Sequence, residues 1–239
     1  MKKQNPKLEG SGLIDCIPQK GYCPNKCPEC YYNNGFFLDL FEELPLMPTI
    51  EEIGNKIVRV NSGNDSNIEK DLVLKETEIY QKKFYNTSIP DFNFPGPVVF
   101  TVNGGSFGDT TEHWKQIKTL CDFGNLNNIM FVRYKTNTWN LGLLDQCVEY
   151  FANENNIPVV LTFMRYKLYE NVENIEDYEI RKSIINTYWC IKEEAFNKIV
   201  EKYENNELVD VCGGKTYGNS YCKSCRNCEK YYNKFILKG

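Results

Sequence analysis

The sequence predicts an α/β fold of parallel strands joined by helical crossovers. Three observations carry that expectation. Short β-branched or apolar runs alternate with amphipathic stretches along most of the 239 residues. The connections between them are only a few residues long, which suits right-handed crossovers. Residues 158–164 form a continuous apolar run, as expected of a strand buried on both faces. Five or six such units fit either an open doubly wound sheet or a partial barrel.

Taken in order, residues 13–17 form a short apolar run that reads as the first strand, and it leads directly into a cysteine-rich loop. One-sided apolarity over 36–44 suggests a helix. Thr49 and Glu52 have capping-box spacing, so a helix starts there. Residues 57–60 read as the second strand and end in the polar turn 61–67. Ser66 and Glu69 repeat the capping spacing and open a helix expected to run to about Phe84. After the proline-rich crossing 90–97, residues 98–102 are a β-branched third strand. The glycine-rich loop 103–108 follows, and then a helix with Trp114, Ile117, Leu120 and Cys121 on one face. Residues 129–134 and 158–164 read as strands four and five, separated by a helix whose apolar face holds Leu144, Cys147, Val148 and Phe151. Residues 165–192, acidic and aromatic, break the rhythm and read as a helix-loop or as an insertion over the substrate opening. Residues 193–204 read as a helix and 208–211 as the last strand.

Hydrophobic residues make up 41% and charged residues 25% of the chain, ordinary values for a soluble globular protein. No apolar run is long enough to span a bilayer, and the basic N-terminus lacks the apolar core of an export signal. The expected compartment is therefore the cytoplasm, with no membrane partner. Eleven cysteines there do not form a disulfide framework, so most need a metal or a core position. Cys121, Cys147 and Cys190 sit in apolar patterns and read as core. The net charge of −4 is uneven. From Cys212 onward six basic residues face one acidic residue, a surplus of +5, which leaves −9 on the preceding body. Only that tail suits a nucleic-acid contact. His113, the single histidine, reads as a surface or capping residue before it reads as an acid–base group.

The densest chemical signal is Cys23, Cys27 and Cys30, spaced C-x3-C-x2-C, with Pro24 and Pro28 keeping the loop out of regular helix. Soft thiolates so closely spaced suit zinc or an iron–sulfur cluster. Three ligands leave one position open. A second group, Cys212, Cys222, Cys225 and Cys228, spaced C-x9-C-x2-C-x2-C, has enough thiolates for a complete tetrahedral site, either structural zinc or an auxiliary cluster.

The N-terminal triplet resembles the cluster loop of the radical S-adenosylmethionine (AdoMet) superfamily. The resemblance implies a partial (βα)6 TIM-type barrel, with a core domain over residues 1–205 and a small Cys-rich extension over 206–239. It implies that Cys23, Cys27 and Cys30 hold a [4Fe–4S] cluster whose fourth iron binds AdoMet. Reductive cleavage would then give a 5′-deoxyadenosyl radical that takes hydrogen from a substrate, possibly a peptide, protein or nucleic acid. A one-electron donor such as flavodoxin or ferredoxin is implied as partner. The family usually carries an aromatic residue just before the third cysteine; here Glu29 stands there and Tyr31 follows, so Tyr31 is the candidate adenine contact. The family's Gly-Gly-Glu loop after the second strand corresponds to Ser62, Gly63, Asn64 and Asp65. Lys135 and Asn137 fall where ribose or carboxylate contacts are common. The competing reading is a non-enzymatic zinc protein, with Cys16 or a distant cysteine as fourth ligand and a basic tail that contacts a partner or nucleic acid.

Overall fold

The structure is a computed structural model, and its described residues are 4–21, 23–25, 44–103, 110–168, 170–182, 187–219 and 221–238, the side chains of residues 110, 111 and 113 excepted. The helix expected over 36–44, the glycine loop 104–108 and the His113 side chain fall outside them.

Ten strands are described: β1 Leu13–Cys16, β2 Ile57–Val60, β3 Lys83–Thr87, β4 Val98–Val102, β5 Ile129–Thr136, β6 Val159–Phe163, β7 Arg165–Lys167, β8 Tyr178–Lys182, β9 Thr187–Ile191 and β10 Val209–Val211. Seven of them form one all-parallel sheet in the order β1-β2-β3-β4-β5-β6-β10. Neighbours in space are thus neighbours in sequence, apart from the β7–β9 excursion. The order never reverses, which removes the switch point that defines a doubly wound sheet. The helices are α1 Ile50–Ile53, α2 Lys70–Thr77, α3 Thr110–Asp122, α4 Leu141–Val148 with a π-helical continuation over Glu149–Glu154, α5 Glu193–Lys202, α6 Cys222–Cys225 and α7 Asn227–Lys238.

Side-chain alternation along the strands sorts the core into two layers. Val58, Tyr85, Phe100, Val132 and Leu161 lie with the apolar faces of α1 to α5. Leu13, Ile57, Phe84, Val99, Phe131 and Val160 lie on the opposite face, packed with Leu8, Tyr231 and Tyr232. Both faces are covered, which is why the strands read as unbroken apolar runs. The thiols of Cys121 and Cys147 belong to the first layer, and burial raises both, Cys121 to about 12.

Helix α7 crosses the second face and reaches both ends of the sheet. At the β1 end, Glu229 Oε1 accepts from Gly12 N at 2.9 Å. At the β10 end, Lys230 pairs with Asp210 at 2.7 Å and Asn227 Nδ2 donates to Val211 O at 3.0 Å. Between them Tyr231 packs on Phe131 and Tyr232 on Phe84, with ring centroids 5.5 and 6.5 Å apart. The expected 205/206 boundary falls between α5 and β10, and the segment beyond it supplies both the seventh strand and this covering helix.

Three local expectations are corrected. The helix opened after residue 66 ends at Thr77, and residues 83–87 are β3, not its last turns. Phe84 and Tyr85 sit on opposite faces of the sheet, an alternation that helical periodicity conceals. Ser66 does not cap that helix: its hydroxyl accepts from Asn61 Nδ2, and Glu69, in the left-handed region at φ 50°, is the N-cap residue. The described residues of 165–192 are no helix-loop: β7, β8 and β9 build a three-stranded antiparallel sheet in the order β7-β9-β8. Tyr166 and Tyr178 of that sheet pack against Trp139 in the loop after β5, with ring centroids 5.3 and 5.7 Å away. The capping box at Thr49 and Glu52 forms as expected.

Candidate functional site

The carboxyl ends of the parallel strands gather the polar chemistry, as in other parallel α/β folds. Beyond β1, Ile17 pairs antiparallel with Leu46 through bonds of 2.8 and 2.9 Å, so the excursion carrying the cysteine triplet leaves and rejoins the sheet at one point. Gln19 Nε2 donates to the carbonyls of Asp65 and Ile68, at 3.0 and 2.8 Å. Asn25, within the triplet, donates to Asp65 Oδ2 at 3.4 Å. The first turns of the cysteine loop are therefore fastened to the loop after β2. Cys23 is half-buried there; Cys27, Cys30, Glu29 and Tyr31 lie outside the described residues.

Asp65 is the joint of this assembly. Oδ1 accepts from Thr87 Oγ1 at 2.7 Å and Asn67 N at 2.9 Å. Oδ2 accepts from Ser88 N and Oγ at 2.7 and 2.9 Å, besides Asn25. The carboxylate is thus spent on holding three segments together. Its neighbours are placed as follows: Ser62 Oγ donates to Asp15 Oδ1 at 2.9 Å, Gly63 is buried, and Asn64 Oδ1 accepts from Asp65 N at 2.8 Å. One layer below, fully buried Asp15 accepts from Arg59 Nε and Nη2 at 2.7 and 3.2 Å. This ion pair is invisible in one dimension, because the two residues meet only through the β1–β2 register.

Strand alternation puts Arg59, Asn86, Thr101, Arg133 and Thr162 on the same face as Asp15, and extends it through Lys135 to Asn137 just past β5. Lys135 and Asn137 are both buried, and Asn137 Oδ1 accepts from Asn140 N at 2.8 Å. Around this rim several buried polar atoms have no hydrogen-bond partner among the described residues: Asn61 Oδ1, Asn103 Oδ1, Asn137 Nδ2, Thr138 Oγ1 and Thr162 Oγ1. They follow or end β2, β4, β5 and β6. An unpaired buried polar group costs about 1–3 kcal/mol. Several of them collect at one end of one sheet, and together they comprise both acceptors and donors.

The tail cysteines lie next to this face. Cys212 directly follows β10, and Cys222 and Cys228 pack against the second core layer. Cys225 Sγ lies 3.9 Å from Val211 O. The neighbouring Cys225 thiol, with the charges of Arg133, Lys7 and Arg59, holds the exposed Cys212 thiol below its usual value. The same contact pushes Cys225 up, and burial raises Cys222 and takes Cys228 to about 11. Among the described residues, no three Cys, His, Asp or Glu side chains are grouped to hold a metal ion. The expected tail site is seen as one thiol pair with two thiols nearby, not as a four-ligand cage. Cys16 is fully buried on the helix-covered face, 3.5 Å from Met47 Sδ, and burial raises its thiol strongly. That placement argues against its use as a zinc ligand.

Fold and site define a parallel α/β protein with unpaired buried polar atoms at the carboxyl end of its sheet. Comparison of the chain with protein-family models, with curated proteins and with solved structures finds no match in any of the three. Among the described residues no helix is long and apolar enough to cross a membrane.

Proposed function

We propose that this chain is a radical AdoMet enzyme, with its sheet curled as a partial (βα)6 barrel. One observation carries the reading: unpaired buried polar atoms lie at the carboxyl ends of β2, β4, β5 and β6, the same end of the sheet from which the Cys23 loop departs after β1. The unbroken strand order, with the crossover helices α1 to α5 all on one face, supports the barrel. In this reading Cys23, Cys27 and Cys30 hold the [4Fe–4S] cluster, which when bound supplies the one-electron reduction of AdoMet that leads to hydrogen abstraction. The chain's own residues do the rest. Asp65 fixes the cysteine loop against the β2 loop through Asn25. Asn61 and Asn103 offer acceptors to an ammonium group, and Asn137 offers a donor to a carboxylate or hydroxyl. The β7–β9 sheet, following β6 without a break, stands at the rim where it limits access of water.

The test is anaerobic reconstitution with iron and sulfide, followed by AdoMet and a strong reductant. Formation of 5′-deoxyadenosine by the wild-type chain, abolished in Cys27→Ala, supports the assignment. A colourless protein that takes up zinc, with no product under these conditions, overturns it.

A further inference from the structure

We infer that the outer edge of β1 is a docking strand for an extended peptide, with the Gln4 side chain as its removable plug. β1 stands at one end of the seven-stranded sheet, so β2 pairs with only one of its edges. Gly12 O and Cys16 O face β2, accepting from Ile57 N and Asn61 N at 2.8 Å each. Alternation therefore turns the main-chain groups of Leu13, Asp15 and Ile17 outward. At Asp15 the outward pair is met by one carboxamide: Asp15 N donates to Gln4 Oε1 at 2.8 Å, and Gln4 Nε2 donates to Asp15 O at 3.3 Å. A carboxamide carries the donor and acceptor of a peptide group, so Gln4 stands where a neighbouring strand would put its main chain. Two residues on, Ile17 has a main-chain partner in Leu46, through bonds of 2.8 and 2.9 Å. The same edge thus already accepts one extended segment next to the position that Gln4 fills.

Beside the plug lies a cavity of about 100 Å³, lined by Ile14, Leu46, Met47 and Pro48 and by Gln4 itself. Edge strands commonly need a shield, and Gln4 provides one. A shield alone requires no apolar hollow next to it. A strand acceptor does, because main-chain bonds give affinity and a pocket for an alternate side chain gives selectivity. This hollow suits one aliphatic side chain, and it widens when Gln4 swings away. Exchange of the plug is close to neutral in hydrogen bonds, since two are broken and two formed. Burial of the entering side chain then decides the balance. Leu13 N is met by Ser11 Oγ at 3.4 Å and Ile17 by Leu46, which leaves Asp15 as the exchangeable position. That row is too short for two copies of β1 to pair edge to edge, and it favours a single incoming segment. A peptide laid along β1 runs toward Cys23, because the cysteine segment follows this strand.

That such a peptide is the substrate rests on the AdoMet reading; the docking does not, so the experiment omits iron and AdoMet and the two fail separately. The full chain is titrated by calorimetry with a blocked five-residue peptide, a central leucine between two threonines with a lysine at each end. Saturable binding is expected. Alanine in place of the leucine should weaken it about tenfold or more. A strand shows only alternate residues' main-chain groups to its neighbour, so of two forms N-methylated at alternate residues one should bind and the other not. Gln4→Ala removes the competitor and should tighten binding about two- to tenfold, while Lys118→Gln on α3 leaves it unchanged. The peptide arms use the wild-type chain, so they decide the matter even if Gln4→Ala does not fold. No saturable binding to wild type, equal binding of both N-methylated forms, or indifference to the leucine overturns the inference. So does a Gln4→Ala chain that sediments as a dimer and no longer takes the peptide, since a second copy would then be the occupant.

Discussion

Replacing Asp15 by asparagine should destabilise the protein by about 3–5 kcal/mol, the cost of stranding one partner of a buried ion pair. The geometry puts this pair in that class: the Asp15 side chain is fully buried, its carboxylate is gripped at 2.7 and 3.2 Å, and the Arg59 side chain is only 10% exposed. Asparagine keeps the size of the side chain but leaves the guanidinium without its counter-charge. Against a total stability of about 5–15 kcal/mol, the loss is severe. With a urea slope of about 3 kcal/mol/M, the unfolding midpoint should fall by about 1–2 M. Removing both charges by Asp15→Leu with Arg59→Met should recover most of the loss, since apolar residues of similar volume replace such pairs with little penalty. Equilibrium urea unfolding followed by tryptophan fluorescence measures all three proteins. A single variant within about 1 kcal/mol of wild type, or a double variant as damaged as the single, would refute the reasoning.

Asp65→Ala removes the acceptor shared by Thr87, Ser88, Asn67 and Asn25, and should cost about 3 kcal/mol or more. That corresponds to a drop of roughly 6–12 °C in Tm for a domain of this size, readable by calorimetry, together with loss of 5′-deoxyadenosine formation. Asp210 should make the protein acid-sensitive. Burial raises its carboxyl, but the bonds from Lys230 and Tyr231 outweigh that and hold it below the usual carboxylate range. Its contribution to stability is therefore complete above the unfolded value of about 4 and is lost as pH falls through the lower folded value. Urea midpoints measured from pH 6 down to 3 should fall less steeply in Asp210→Asn than in wild type. Cys225→Ala should leave AdoMet cleavage in place if the tail thiols are structural or serve the substrate, and product assays on the reconstituted variant decide this.

Strands whose residues are apolar on both faces were legible because burial on both sides leaves no polar alternation to misread. Residues 129–134 and 158–164 match β5 and β6 closely for that reason. β3 was hidden because Lys83 and Asn86 interrupt its apolar residues, and Asn86 is tolerated in the interior only because its amide reaches Val60 O at 2.7 Å on the neighbouring strand. The β7–β9 sheet was hidden by its acidic residues. Glu179 there is paired with Arg181 and Tyr217, partners that lie two and 38 positions away. The candidate site was legible as loops after strands, and the loop after β2 does contact the cysteine segment. The roles of its members were not: Asp65 looks like a ligand contact in one dimension and is a structural joint in three.

The bond between Gly12 and Glu229 joins positions 217 residues apart. A nascent chain that has not yet released the α7 segment from the ribosome has nothing to lay across the second face. Its edge strands and the apolar row from Leu13 to Val160 stay uncovered until then. Docking of α7 is therefore the step that covers this row.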